Sequence, residues 1–123
     1  MGLTYQIEPD NKIIRQQWIG SFNLKAIKEL SDGMYNDPRY QQNLRAFCDV
    51  RQASWQITGD EFYLVTEFVR QHPKGPRGPH AIVCSEPLQT AFAMMYSSID
   101  NPPHPSKAFS TEEAAMEWLD TYL

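Results

Sequence analysis

Cysteine is scarce in this 123-residue chain, with Cys48 and Cys84 the only two. They are too few and too far apart for a metal-ligand cluster, and neither belongs to a C-x-x-C pair, which excludes a structural zinc site. Basic residues are outnumbered, 11 Lys plus Arg against 15 Asp plus Glu, for a net charge of −4. A phosphate backbone would repel such a chain on average, which argues against a nucleic-acid binder. Long apolar runs are missing too, and none approaches the roughly 20 residues of a membrane helix. The first residues, Met1, Gly2, Leu3, Thr4 and Tyr5, lack the basic region and apolar core of a secretory signal. The expectation is a cytoplasmic, entire protein. Repeats and low-complexity tracts are absent, as is a glycine-rich phosphate loop, because the prolines of the 75–79 segment stand where amides would have to donate.

What the chain does contain suffices for one hydrophobic core. Hydrophobic residues make up 41% of it, and a domain of this length buries roughly two-thirds of its unfolded surface. Residues 3–7 and 13–19 are β-prone runs around a Pro9, Asp10, Asn11 turn, predicting a hairpin. Asn23 caps a helix carrying Leu24, Ile27, Leu30 and Met34 on one face, stopped before Pro38. A central strand is expected at 45–51 and a loop at 52–57. Thr58 and Glu61 form a T-x-x-E capping box opening a helix with Phe62, Val65, Phe68 and Val69 inward.

Prolines and glycines at 73–79 impose a loop, and 81–85 reads as a buried strand. Pro87 begins a helix whose stripe is Leu88, Ala91, Phe92, Met95 and Ile99, ending at the prolines of 101–105. A short strand at 107–109 precedes a second capping box, Ser110 to Glu113, and a last helix docked by Trp118. Strands alternating with helices predict an α/β fold. It is a single mixed, mostly parallel sheet with an N-terminal β-hairpin and about four helices, formed by residues 1–123 as one domain.

That order of elements, ending in Phe109 and a capped helix with Ala114, Ala115, Trp118 and Leu119, resembles the STAS-like family of small bacterial domains related to anti-anti-sigma factors, the SpoIIAA-like domains. The resemblance covers nearly the whole chain, with the strand Phe47, Cys48, Asp49, Val50, Arg51 as a further match. It implies a non-enzymatic regulatory module that docks on another protein. Signalling members carry a phosphorylated Ser at the start of the helix after the central strand. Thr58, followed by Gly59, is the nearest match here, and the acidic residue of the family's motif is replaced by Gln56.

Candidate site residues follow from this layout. Asp49 and Arg51 share one side of the central strand near its C-terminal end, where open α/β sheets collect ligands. Their other reading is an ion pair that orders the next loop. Trp55 covers either a ligand or the end of the core. Thr58 is a cap or a phosphoacceptor, since a phosphate there would meet unpaired amides and the positive end of the helix. Arg70, Lys74 and Arg77 form a local basic patch suited to an anion, or else a solvated loop. Cys84, before a helix N-terminus, would suit a thiol nucleophile. His80, on the same side of the strand, stands about 13 Å away by strand geometry, too far to be its base. His72 and His104 are the other candidates.

Three readings therefore stand. The first is an interaction module that presents the 52–60 loop and the face of the second helix to another protein or a second copy, using Asp49, Arg51, Trp55 and Thr58. The second is a carrier of a small apolar or anionic ligand, with Trp55, Phe62, Phe92 and Met95 lining a pocket and Arg51 at its mouth. The third is a thiol enzyme using Cys84. None requires a metal or cofactor.

Overall fold

A turn at residues 9–12, with Lys12 at φ 53° and its N–H donating to Pro9 O at 3.1 Å, joins the first two strands. These are β1 (Gly2–Glu8) and β2 (Ile13–Ser21), the expected hairpin. The computed structural model describes residues 2–97 and 105–123, the side chains of 95–97 excepted. Met95 as a lining side chain, Ile99, His104 and the proline stop at 101–104 thus lie outside the described residues. After the hairpin come α1 (Leu24–Tyr35), β3 (Arg45–Ser54), α2 (Gly59–Gln71), β4 (His80–Val83), α3 (Pro87–Ser97), β5 (Ser106–Phe109) and α4 (Glu112–Asp120).

The strands form one sheet in the order β1-β2-β3-β4-β5, antiparallel at β1·β2 and parallel elsewhere. Each parallel crossover steps one strand in the same direction. Right-handed crossovers therefore put α1, α2 and α3 on the same face, and α4, which follows the last strand, is free to cover the other. Side-chain alternation carries this through to packing. Cys48, Val50 and Ile82 point toward Ile27, Phe62, Val65 and Phe92 on the three-helix face. Phe47, Ala81 and Val83 point toward Ala115 and Leu119 of α4.

Besides β4, which spans His80–Val83 instead of 81–85, four local readings differ from the structure. The central strand runs to Ser54, because an extra residue in β3 lets pairing with β2 continue: Gln17 faces Asp49, but Ile19 faces Gln52. This bulge turns both Val50 and Ala53 into the core and leaves Arg51 and Gln52 exposed. The final helix is capped by Thr111, whose Oγ1 accepts from Ala114 N at 3.1 Å. The box expected from Ser110 to Glu113 is displaced by one residue. That helix docks through Ala115 and Leu119, while Trp118 lies at its margin against Phe109 and Tyr122.

The fourth difference is in α3, which buries Gln89, Phe92 and Ala93 and exposes Leu88 and Ala91. The helix is turned by about one residue from the apolar stripe, since one residue is ~100° of helical rotation. Gln89 explains the turn. It is 1% exposed, and its Oε1 accepts from Ser85 N at 2.9 Å and Glu86 N at 3.2 Å, while its Nε2 donates to Ala53 O at 3.0 Å. These bonds supply partners to the buried Ala53 carbonyl at the end of β3 and to two amides at the start of α3.

Candidate functional site

The C-terminal ends of the parallel strands and the N-termini of α2 and α3 meet at one rim. There Thr58 is the N-cap of α2, with φ −80° and ψ 168°. Its Oγ1 accepts from Glu61 N at 3.1 Å, and Glu61 Oε1 accepts from Thr58 N at 2.9 Å, so the expected capping box is formed in both directions. Thr58 is exposed. Its neighbours in the first turn, Asp60 and Glu61, are both acidic and already complement the helix dipole.

Asp49 and Arg51 form a two-pronged ion pair. Arg51 Nε donates to Asp49 Oδ1 at 3.0 Å, Nη2 donates to Oδ2 at 2.8 Å, and the Arg51 backbone N–H adds a third bond at 3.0 Å. The guanidinium hydrogen bond holds the Asp49 carboxyl below its ordinary value. Arg51 is held up chiefly by Asp49, with Glu112 and Glu113 of α4 adding to it. Asp49 alternates with Phe47, so this pair faces the α4 side of the sheet.

Trp55 faces the opposite side. Its ring stacks on Phe92 at 4.8 Å and 9° and on Trp18 at 6.0 Å, with Phe22 edge-on at 5.0 Å. It closes the end of the three-helix core. The four candidate residues of the rim therefore divide: Asp49 and Arg51 on the α4 side, Trp55 and Thr58 on the other.

The basic segment lies at the far end of α2. Arg70 is paired with Glu67 at 3.1 Å. His72 Nδ1 accepts from Lys74 N at 3.0 Å, and its ring packs on Tyr35 at 4.5 Å. The loop is held against the body: Gln42 O accepts from Arg77 N at 2.7 Å, and Gly78 leaves no room for a side chain beside Leu44 O. Of the three cations proposed for an anion patch, Arg70 is thus already neutralised by an acid.

Cys84 is 3% exposed, and burial pushes its thiol up from the ordinary value rather than down. The lowering expected from the following helix does not dominate. Among the described residues no cluster of three or more His, Cys, Asp or Glu could hold a metal. No helix among them is long and apolar enough to cross a membrane.

Sequence reasoning missed two features of the rim. One is Gln89, for which no periodic signal exists, because a glutamine in an amphipathic helix is ordinarily assigned to the solvent side. The other is the pair Tyr63 and Leu64, 60% and 53% exposed, on the face of α2 that was expected to meet a partner without these residues being singled out. Their signal was available, since both lie off the stripe of Phe62, Val65 and Val69 and are nevertheless apolar.

The comparisons with known proteins bear on this geometry. A crystal structure of an uncharacterised protein of the DUF3478 family with a SpoIIAA-like fold, from Shewanella loihica PV-4, superposes with a TM-score of 0.69. The match covers 96% of this chain and 94% of that one, at 15% identity. The chain has the SpoIIAA-like fold. The resemblance drawn from the order of elements is borne out at the level of fold, including the antiparallel β1·β2 hairpin on an otherwise parallel sheet. A family model described as a domain of unknown function (DUF7793) matches residues 67–123, from within α2 through α4. No match was found among curated proteins.

Proposed function

We propose that this SpoIIAA-like domain is a non-enzymatic, cytoplasmic regulatory module that acts by binding another protein through the rim where β3 leads into α2. The observation that carries this reading is the pair Tyr63 and Leu64, large apolar side chains more than half exposed. They lie on the first turns of a helix whose capping residue, Thr58, is itself open to solvent. A few residues, tyrosine prominent among them, carry most of the free energy of protein recognition. Asp49 and Arg51 extend the surface on the α4 side of the rim, where Arg51 is exposed.

Thr58 is the modification point of this surface. A phosphate on its Oγ1 would compete with the Glu61 carboxylate for the amides at the start of α2 and open the capping box. Modification would thus change the shape of the helix start as well as its charge.

Affinity capture from cells of the source organism tests the reading. The native domain should retain a specific protein that a Tyr63→Ser/Leu64→Ser double variant, folded by circular dichroism, does not. Equal recovery by both would contradict it. The outer edge of β1 is unpaired in the sheet, so a second copy of the chain is the alternative partner, by strand addition. A two-chain mass in light scattering would indicate that mode.

A further inference from the structure

The chain's cations are unevenly placed. No Lys or Arg occurs between Arg51 and Arg70, nor between Arg77 and Lys107. Residues 59–69 of α2 and the whole of α3 therefore carry no positive side chain. Arg51 and Arg70, which border the first of these stretches, are each tied to an acid, Asp49 at 2.8 Å and Glu67 at 3.1 Å. Acids are present where the cations are missing. Asp60 and Glu61 stand in the first turn of α2, and Glu86 immediately precedes α3. None of the three joins an ion pair among the described residues.

The starts of the two helices meet. Phe62 of α2 lies 4.9 Å from the ring of Phe92 on α3, and Trp55 stacks on Phe92 at 4.8 Å. Large apolar side chains nevertheless stay outside, Tyr63 and Leu64 on α2 and Leu88 and Met94 on α3. Each helix dipole supplies only about half a positive charge at its N-terminus, so the three carboxylates leave this rim negative by about two charges.

Apolar surface of this sign discriminates among occupants. Anionic lipid headgroups attract helix faces rich in Lys and Arg, which these helices lack here. An acidic protein segment would meet like charge. A segment with Lys or Arg beside large apolar side chains satisfies both features, its apolar residues meeting Tyr63 and Leu64 and its cations facing Asp60, Glu61 and Glu86.

We infer that the partner segment accepted by this rim is cationic and amphipathic. The inference rests on the protein-binding reading above and adds the chemistry of the partner.

The test uses two fluorescein-labelled helical peptides with the same leucine pattern, one with lysine and one with glutamate at every polar position, titrated by anisotropy at low salt. The lysine peptide should bind, more weakly as salt rises, and the glutamate peptide should not. Asp60→Asn/Glu86→Gln should weaken the lysine peptide roughly tenfold, as the loss of close charge pairs does at interfaces. Asp10→Asn/Glu117→Gln removes the same net charge from the hairpin turn and α4, and should stay within about twofold of native because those sites lie away from the contact. Should Asp60→Asn/Glu86→Gln fail to fold by circular dichroism, Glu86→Gln alone decides, with about a threefold loss. Equal weakening by the two charge variants, or equal binding of the two peptides, would overturn the inference. Tyr63→Ser/Leu64→Ser separates this from the rim itself: lost binding there alongside unaffected charge variants would leave the rim standing and remove only its cationic partner.

Discussion

Gln89 Nε2 donates to Ala53 O at 3.0 Å, so a single buried side chain fastens the first turn of α3 to the end of β3. Its Oε1 at the same time receives Ser85 N and Glu86 N. Gln89→Leu keeps the volume but strands these groups and should cost about 2–4 kcal/mol, read as a lower urea midpoint. Gln89→Glu should be weakened at neutral pH, where a carboxylate meets the Ala53 carbonyl. It should recover as the pH falls toward the ordinary glutamate value of about 4.3 and be fully recovered below it, because the folded state holds the proton more tightly than the unfolded chain. A Leu variant as stable as the native protein would show that the latch carries no load.

Thr58 and Glu61 satisfy one another's amides at the start of α2. Thr58→Ala should therefore lower stability by about 1 kcal/mol, with Thr58→Ser within a few tenths of native. If the rim also serves recognition through the Thr58 hydroxyl, partner capture should fall further with Ala than this loss of stability explains. Equal capture by Ala and Ser variants would leave Thr58 as a cap alone.

Stability should have an acid limb and an alkaline limb. Asp37, hydrogen-bonded chiefly by Arg39, and Asp49, hydrogen-bonded chiefly by Arg51, both have carboxyls held below the ordinary 3.8. Their contribution is present above that value and is lost as the pH falls below it. Burial raises the thiols of Cys48 and Cys84 above 9.0, and pushes the Tyr35 phenol from 10.0 to about 12. Their contribution is whole below the unfolded-state values and fades as the pH climbs from about 9 toward 12. Denaturation across the pH range should show the plateau between these limbs, and Asp49→Asn should make the acid limb shallower. An unchanged acid limb in that variant would remove Asp49 from the explanation.

Both thiols are buried, Cys48 at 3% exposure and Cys84 at 3%. Neither should be labelled by a thiol reagent at pH 7.5 while the protein is folded, and both should react at once in denaturant. Rapid native labelling of Cys84 would revive the thiol-enzyme reading.

Much of the fold was legible because local signals agree with one another. The hairpin turn, the Asn23 and Thr58 caps and the proline-rich loop each mark a boundary by backbone chemistry that needs no distant partner. Short apolar runs marked β3 and β4 as buried strands, and the order of elements pointed to the SpoIIAA-like arrangement. The errors arise where a contact distant in sequence decides. The bulge in β3 depends on register against β2, and the rotation of α3 depends on Gln89 reaching backbone groups about 36 residues away, an interaction with no periodic trace. The candidate site was legible residue by residue but not as a constellation. Asp49 and Trp55 are six positions apart, and only the register of the sheet reveals that they occupy opposite faces.

The most direct test of the rim as a recognition surface is site-specific photocrosslinking in cells. A benzophenone amino acid in place of Leu64 should yield a discrete crosslinked protein that is absent when the same group replaces Asn11 in the exposed hairpin turn. Identical products from both positions, or none from position 64, would contradict a partner-binding role for the start of α2.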